Sequence, residues 1–250
     1  MSFDRRIARL NSLAILAGIV IALQLVTGLG LVSTFLLPSP TQIAASMPRL
    51  FLEEGLLYRL SISVVSVFIA ATLAILIGTI VGWGLYRNRN AWLAFSGWIA
   101  GLNAAPLILL FPLLLVIFGR GSSTIVALGV LGGVPPIMLK TREAFAGTRR
   151  VLLDVGQSFN LSPARMFWLI HLPAAAPTMV AGFRLGSFYA LLSVIGGEFL
   201  TGIGGVGALI PDLAERFQIA AMYGAIVFVI LTSAAFITLV KRAERWFRPI

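Results

Sequence analysis

Few side chains in this sequence could do chemistry, and most of them stand alone. Gln24, Asn103, Arg184 and Glu198 lie in or beside long apolar stretches, His171 is the only histidine, and there is no cysteine. Metal sites and nucleophilic triads need clustered histidines, thiolates or carboxylates, and no such cluster can be drawn. Neither G-x-S-x-G with a histidine on another apolar run nor H-E-x-x-H occurs, which excludes an intramembrane protease. The phosphate-cradling G-x-x-x-x-G-K-[ST] loop is also missing, so no catalytic residue, metal or cofactor is expected in this chain. What remains is passage and gating. A charge within an apolar run, as at Arg184, costs several kcal/mol unless paired, hydrated or able to snorkel. Arg184 therefore lines or gates a pathway, or snorkels to an interface. Glu198 precedes GIGGVG (202–207) and is a gate residue or a solvated acid at a helix end. Gly205 and Gly207 permit bends and close approach, and a re-entrant turn is expected there. Asn103 and Pro106 interrupt an apolar run near mid-length and either line a pathway or glue helices together. Gln24 has the same two readings, and His171 is read as structural.

The elements that carry these residues follow from the apolar pattern. Of 250 residues 59% are apolar and 11% charged, and mean hydropathy is +0.99. Soluble domains are roughly a quarter charged. The chain is therefore read as an all-α polytopic membrane protein. No charge occurs over 10–48, 60–86, 90–119, 121–139 or 217–240, and 177–197 contains only Arg184. A crossing needs about 20 apolar residues, which predicts six spans at 11–32, 60–86, 92–118, 122–140, 177–197 and 219–240. No run alternates as a barrel strand would. With the N-terminus inside, fourteen Lys and Arg fall on the cytoplasmic side against four outside (Arg49, Arg59, Arg120 and Arg216). Both termini are thus expected in the cytoplasm. The same bias accounts for the formal net charge of +10 without nucleic acid. Arg5, Arg6 and Arg9 ahead of an apolar run resemble a secretory signal. The run over 13–32 exceeds the usual length of about 7–15 residues, so a retained span is expected. Trp83, Trp92, Trp98, Trp168 and Trp246 are read as interface anchors, and the Gly78 to Gly82 spacing as a helix contact.

Two connections carry further pattern. After LLPSP (36–40), Thr41 can cap a short helix over 41–51 that lies along the outer surface and ends or kinks at Pro48. The longest connection, 141–176, is too polar and too rich in proline to cross and is read as short cytoplasmic helices. A helix over 154–159 closes at Asn160, a residue that tolerates the left-handed conformation. Leu161 leads to Ser162 and Pro163, an N-cap and first position for a second helix that ends before Pro173. A sharp bend between two short helices makes a rigid docking element.

In this connection the sequence resembles the importer permeases of the ATP-binding-cassette (ABC) class. Their cytoplasmic motif runs E-A-A, three residues, G, nine residues, I-x-L-P. Here Asp154, Val155 and Gly156 stand for E-A-A, Asn160 for G, and Ile170, His171, Leu172 and Pro173 complete it. LLPSP, Pro106, Pro112 and the pair Phe118 and Gly119 are similar to the sulfonate/taurine/nitrate branch. So are AGFRLG (181–186) and Glu198 followed by Gly205, Val206 and Gly207, in consistent order over about 30–240.

The resemblance implies a single type I importer transmembrane domain over 1–250, in the bacterial cytoplasmic membrane. It implies two copies forming the pathway, two separate ATPase subunits that bind ATP and Mg, and an extracytoplasmic binding protein, with Glu198 a gate or a contact for that protein. Coupling would fall on Asp154, Val155, Gly156, Phe159, Asn160, Leu161, Ser162 and Pro163. Pathway or gate roles would fall on Asn103, Pro106, Arg184, Glu198, Gly205 and Gly207. The cargo implied is a small polar, anionic solute such as a sulfonate, taurine, nitrate or bicarbonate. The alternative from another class is a stand-alone secondary carrier, which would usually need more intramembrane ionisable groups.

Overall fold

The computed structural model describes residues 2–246, and Arg248 of the basic C-terminus lies outside them. The described residues are helical throughout and contain no strand. In order come α1 (Ser2–Gly28), α2 (Pro40–Leu52), α3 (Leu56–Arg87), α4 (Arg89–Ala104), a 3-10 turn (Leu107–Leu110) and α5 (Phe111–Phe118). They are followed by α6 (Ser122–Ala146), α7 (Arg150–Ser158), α8 (Pro163–Met166), a π-turn (Phe167–His171), α9 (Leu172–Thr201), α10 (Val206–Glu215) and α11 (Ile219–Trp246).

Among the described residues four helical runs are long and apolar enough to cross a membrane: α3, α6, the run 163–215 containing α9, and α11. The pair α4 and α5, bent by 95°, makes a fifth if counted as one broken span. Ala14–Gly28 in α1 is a shorter apolar helix at the place of the first expected span.

The centre is a three-helix packing of α3, α6 and α9, and small residues set it. A β-carbon on Gly82 of α3 would lie 2.6 Å from the Met138 carbonyl of α6, and one on Gly133 of α6 would lie 2.8 Å from Ala74 of α3. Lipid offers apolar side chains no hydrophobic gain from association, so close van der Waals fit has to supply it, and glycine lets the backbones approach. The expected Gly78 and Gly82 contact is thus made within the subunit. A second cluster joins α2, α3, α10 and α11 through Leu50, Leu56, Leu209, Leu213 and Ala221. Helix α1 touches the rest through α2, where Gln24 Oε1 accepts the Thr41 backbone N–H at 3.3 Å.

Several local expectations change. The third span is not continuous: α4 stops at Ala104, Ala105 is extended (φ −72°, ψ 143°), and the chain turns at Pro106. Proline disfavours helical backbone at the residue before it, and here that preference produces a corner rather than a kink. The cap of α2 is Ser39, whose hydroxyl accepts the Gln42 N–H while the Gln42 side chain accepts the Ser39 N–H, so Thr41 is already inside the helix. Pro48 does not end α2, because Leu50 beyond it is anchored in the second cluster. The helix begun at Pro163 does not end before Pro173. Its wide turn bonds Leu172 N–H to the Phe167 carbonyl, and Pro173 falls in the first turn of α9, where a proline needs no N–H partner.

Candidate functional site

The projection between α6 and α9 is built by backbone geometry. Helix α7 closes in a Schellman arrangement: Leu161 N–H donates to the Gly156 carbonyl at 3.1 Å and Asn160 N–H to the Gln157 carbonyl at 2.8 Å. Asn160 takes the left-handed position with φ 50°. Ser162 then caps α8 by accepting the Arg165 N–H, with Pro163 as its first residue. The sequence-level reading of the bend is met at each of these positions. Gly156 is buried because α7 lies on the wide turn; a β-carbon there would sit 2.6 Å from Met166 and Ile170 side-chain atoms. Asp154, Val155, Asn160, Ser162 and Pro163 are exposed, Leu161 is half-buried, and Phe159 is 76% exposed. With Val151 and Leu152, Val155 and Phe159 leave an apolar edge that no other described residue covers.

Behind that edge an aromatic cluster ties the projection to the core. Trp83 of α3 contacts Phe145 of α6 edge-on at 4.5 Å and Phe167 of the wide turn at 4.9 Å, with Tyr86 5.6 Å from Phe145. His171 sits at the border of this cluster, 6.1 Å from Tyr86. Trp83, expected as an interface anchor, instead joins the ends of three helices. Edge-to-face pairs contribute about 0.5–1.5 kcal/mol each beyond burial. The cluster therefore ties the projection to the ends of α3 and α6. Sequence reasoning missed this cluster, since the four rings come from three stretches far apart in the chain.

At the opposite end Glu198 is neither a gate in contact with water nor a solvated acid, for it is fully buried. Its carboxylate accepts the Ser63 hydroxyl, 2.8 and 2.7 Å from its two oxygens, and the Gly207 N–H at 3.0 Å. Ser63 Oγ in turn accepts the Val206 N–H at 2.9 Å. Residues 206 and 207 open α10, whose own N-cap, Gly205, has no side chain to satisfy them. Glu198 and Ser63 thus cap α10 from α9 and α3, with a carboxylate at the positive end of the helix dipole. A β-carbon on Gly205 would run into both Ser63 Oγ and the Glu198 carboxylate, which is why glycine stands there. The loop 202–205 turns sharply through Gly202 (φ 63°) and Gly204 (φ 87°). Ser63 carried no sequence signal.

Asn103 and Pro106 are brought together at the α4–α5 corner. They border a cavity of about 270 Å³ with Ile108, Gly132 and, from α9, Tyr189 and Ser193. No Asp, Glu, Lys, Arg or His is among the lining residues. Tyr189 and Ser193 were not anticipated, because single polar residues on an apolar helix give no periodic signal. Arg184 is elsewhere: its Nη1 donates to Glu244 of α11 at 2.9 Å. That pairing fits neither expected reading alone, since the guanidinium is half-exposed and also bound to a buried carboxylate.

These features meet known proteins at the level of sequence and fold. The family model described as the binding-protein-dependent transport system inner membrane component matches residues 74–249. The chain is 26% identical over 236 residues to the putative aliphatic sulfonates transport permease protein SsuC of Bacillus subtilis (strain 168), covering 91% of this chain and 84% of that protein. It is 29% identical over 207 residues to the riboflavin transport system permease protein RibX of Chloroflexus aurantiacus, covering 82% and 75%. Among solved structures, its fold is similar to that of the MetNI methionine ABC transporter in inward-facing conformations. The TM-score is 0.69 at 18% identity, covering 81% of this chain and 99% of that one. A helical chain with several membrane-long apolar helices agrees with these matches. The chain belongs to the family of inner-membrane components of binding-protein-dependent transport systems, as an ABC importer permease.

Proposed function

We propose that this permease sits in the bacterial cytoplasmic membrane with both termini inside, and that two copies form the pathway. Two ATPase subunits, which would bind ATP and Mg, dock on the α7–α8 bend, and an extracytoplasmic binding protein delivers the cargo. The observation that carries this reading is the projection itself: an uncovered apolar edge on Val155 and Phe159, held rigid by the Schellman turn at Asn160. Asp154 and Ser162 give that edge a polar rim. Gly156, Leu161 and Pro163 set its shape. When the ATPases close, the bend moves, and the Trp83 cluster passes that motion to the core helices, which is alternating access by rocking.

The pathway reading rests on the corner at Pro106. The cavity beside it offers hydroxyl and amide donors from Tyr189, Ser193 and Asn103 and no fixed charge. Such a lining holds a small polar solute loosely, so a cargo released by the binding protein can pass without being trapped. The similarity to sulfonate permeases favours a small oxyanion, which can accept hydrogen bonds from those donors. Gly205, Gly207 and Glu198 hold the α10 end together and act on gating through that cap, and Arg184 acts through its Glu244 pair.

The test is ATPase activity of the complex in proteoliposomes, with the binding protein added alone or loaded with an aliphatic sulfonate. Stimulation by the loaded protein, lost when 154–160 is replaced by a Gly/Ser linker, supports the reading. Equal activity of native and linker chains would refute the coupling assignment. Stimulation by other cargo but by no small oxyanion would refute the substrate class.

A further inference from the structure

Between α9 and α11, at the end of the bundle shared with the coupling projection, lies a cleft of about 410 Å³. Its walls are apolar: Ile75 of α3, Val180 and Phe183 of α9, and Val240 of α11. Its polar groups are the buried Ser187 hydroxyl and the Arg184–Glu244 pair, in which the carboxylate is 5% exposed and the guanidinium 40%. Lys241 stands three residues before Glu244 and Arg245 one residue after, both exposed. Residues three apart share a helix face, so Lys241 borders the same rim. None of these residues lines the pathway cavity or belongs to the coupling edge; of them, only the Arg184–Glu244 pair enters the gating reading above.

We infer that this cleft binds one anionic phospholipid of the cytoplasmic leaflet, with its phosphate on Arg184 and Lys241 and an acyl chain along Ile75, Val180 and Phe183. Glu244 holds the guanidinium in place from one side and leaves it part-open on the other. A guanidinium fork suits a phosphate as well as a carboxylate. Because Arg184 and Glu244 nearly cancel in charge, selection for an anionic headgroup falls on Lys241, and basic residues at the inner surface attract such lipids. The size of the cleft favours a chain over a neighbouring helix. A helix about 10 Å across rises 5.4 Å per turn, so this volume holds roughly one turn of it. The inference rests on the inside orientation of the α11 end proposed above.

The test uses the permease–ATPase complex extracted in mild detergent, with co-purified lipid quantified by mass spectrometry against the source membrane. The ratio of anionic to zwitterionic lipid should be enriched several-fold in the native complex. Lys241→Gln and Ala243→Phe, the second of which fills the cleft from its α11 rim, should each bring the ratio back toward that of the membrane. Arg120→Gln, a charge removal far from the cleft, should keep the enrichment. No enrichment in the native complex, or enrichment surviving both cleft variants, would overturn the proposal. Loss with Lys241→Gln but not with Ala243→Phe would also overturn it, because the lipid would then be held by surface charge alone. Since the chain has no cysteine, maleimide labelling of Lys241→Cys in sealed inverted and right-side-out vesicles tests the orientation separately. Labelling from the outside only would overturn the leaflet assignment and the cytoplasmic placement of the coupling bend together, whereas labelling from the inside without lipid enrichment would overturn this inference alone.

Discussion

Removal of the Glu198 carboxylate should loosen the α10 end of the molecule by an amount that can be worked from its partners. In Glu198→Ala the Gly207 N–H and the Ser63 hydroxyl both lose their acceptor inside a buried site. Each buried donor left unpaired costs about 1–3 kcal/mol, giving about 2–6 kcal/mol for the pair. That is a large share of a typical stability of about 5–15 kcal/mol. For a chain of this size about 2–4 °C is lost per kcal/mol, so the apparent melting temperature should fall by roughly 5–20 °C. Glu198→Gln separates the cap from the charge. Its amide oxygen can still accept the Gly207 N–H, and its NH2 can donate to Ser63 Oγ, which keeps a second lone pair for the Val206 N–H. The glutamine variant should therefore recover most of the loss. The assay is thermal unfolding of the purified complex, with protease accessibility of the 202–206 loop as a local readout. Equal damage by alanine and glutamine would refute the capping argument and leave the negative charge itself as the requirement. No damage by either would refute the structural role altogether.

Other perturbations follow the same logic. Gly156→Ala should be tolerated, because its β-carbon meets the ends of the Met166 and Ile170 side chains, whereas Gly156→Val should abolish co-purification of the ATPase subunits. Asn160→Gly should stabilise the bend by up to about 1 kcal/mol, and Asn160→Val should destabilise it, since a β-branched residue resists the left-handed region; limited proteolysis at 159–162 reads the difference. Glu54 accepts two hydrogen bonds from Arg216, at 3.0 and 2.7 Å, and this partner holds its carboxyl below the ordinary value of 4.5. Its contribution is therefore complete above that ordinary value and is lost as pH falls through the lower, folded one. Glu54→Gln should flatten the acid limb of a stability–pH curve below about pH 4.5, by a modest amount because Arg216 is half-exposed to screening. Ser193→Leu should cut transport while leaving ATPase association intact, because it fills the cavity at the Pro106 corner and touches nothing in the projection.

The long apolar helices were legible because lipid imposes a blunt rule on composition, and the charge-free runs predicted the N-terminal ends of α3, α6 and α11 within a few residues, while the described residues hold four membrane-long runs, or five with the broken pair, where six spans were expected. The coupling bend was legible in more detail, down to Asn160 and Ser162, since a Schellman turn and an N-cap are local and their residue preferences are strong. Corners and tertiary caps were not. Pro106 was identified, yet whether a proline kinks a helix or turns it by 95° depends on what the next segment packs against. Ser39 rather than Thr41 caps α2 because Pro40 occupies the first helical position, a distinction visible only once the boundary is known. Glu198 carried a motif but no hint of burial, as its partner Ser63 lies 135 residues away. The Trp83 cluster escaped for the same reason: its rings meet only after α3, α6 and the wide turn have packed.

The central claim is that the α7–α8 bend is where the ATPase subunits dock. Site-specific photo-crosslinking from Phe159, in the assembled complex in native membranes, tests it most directly. A photoreactive phenylalanine analogue there should give an adduct with the ATPase subunit, and the same probe at Val116, 85% exposed on α5, should not. Replacing Asn160 with valine in the Phe159 probe chain should lower the yield, because the bend would no longer present the edge. An ATPase adduct from Val116 together with none from Phe159 would contradict the account.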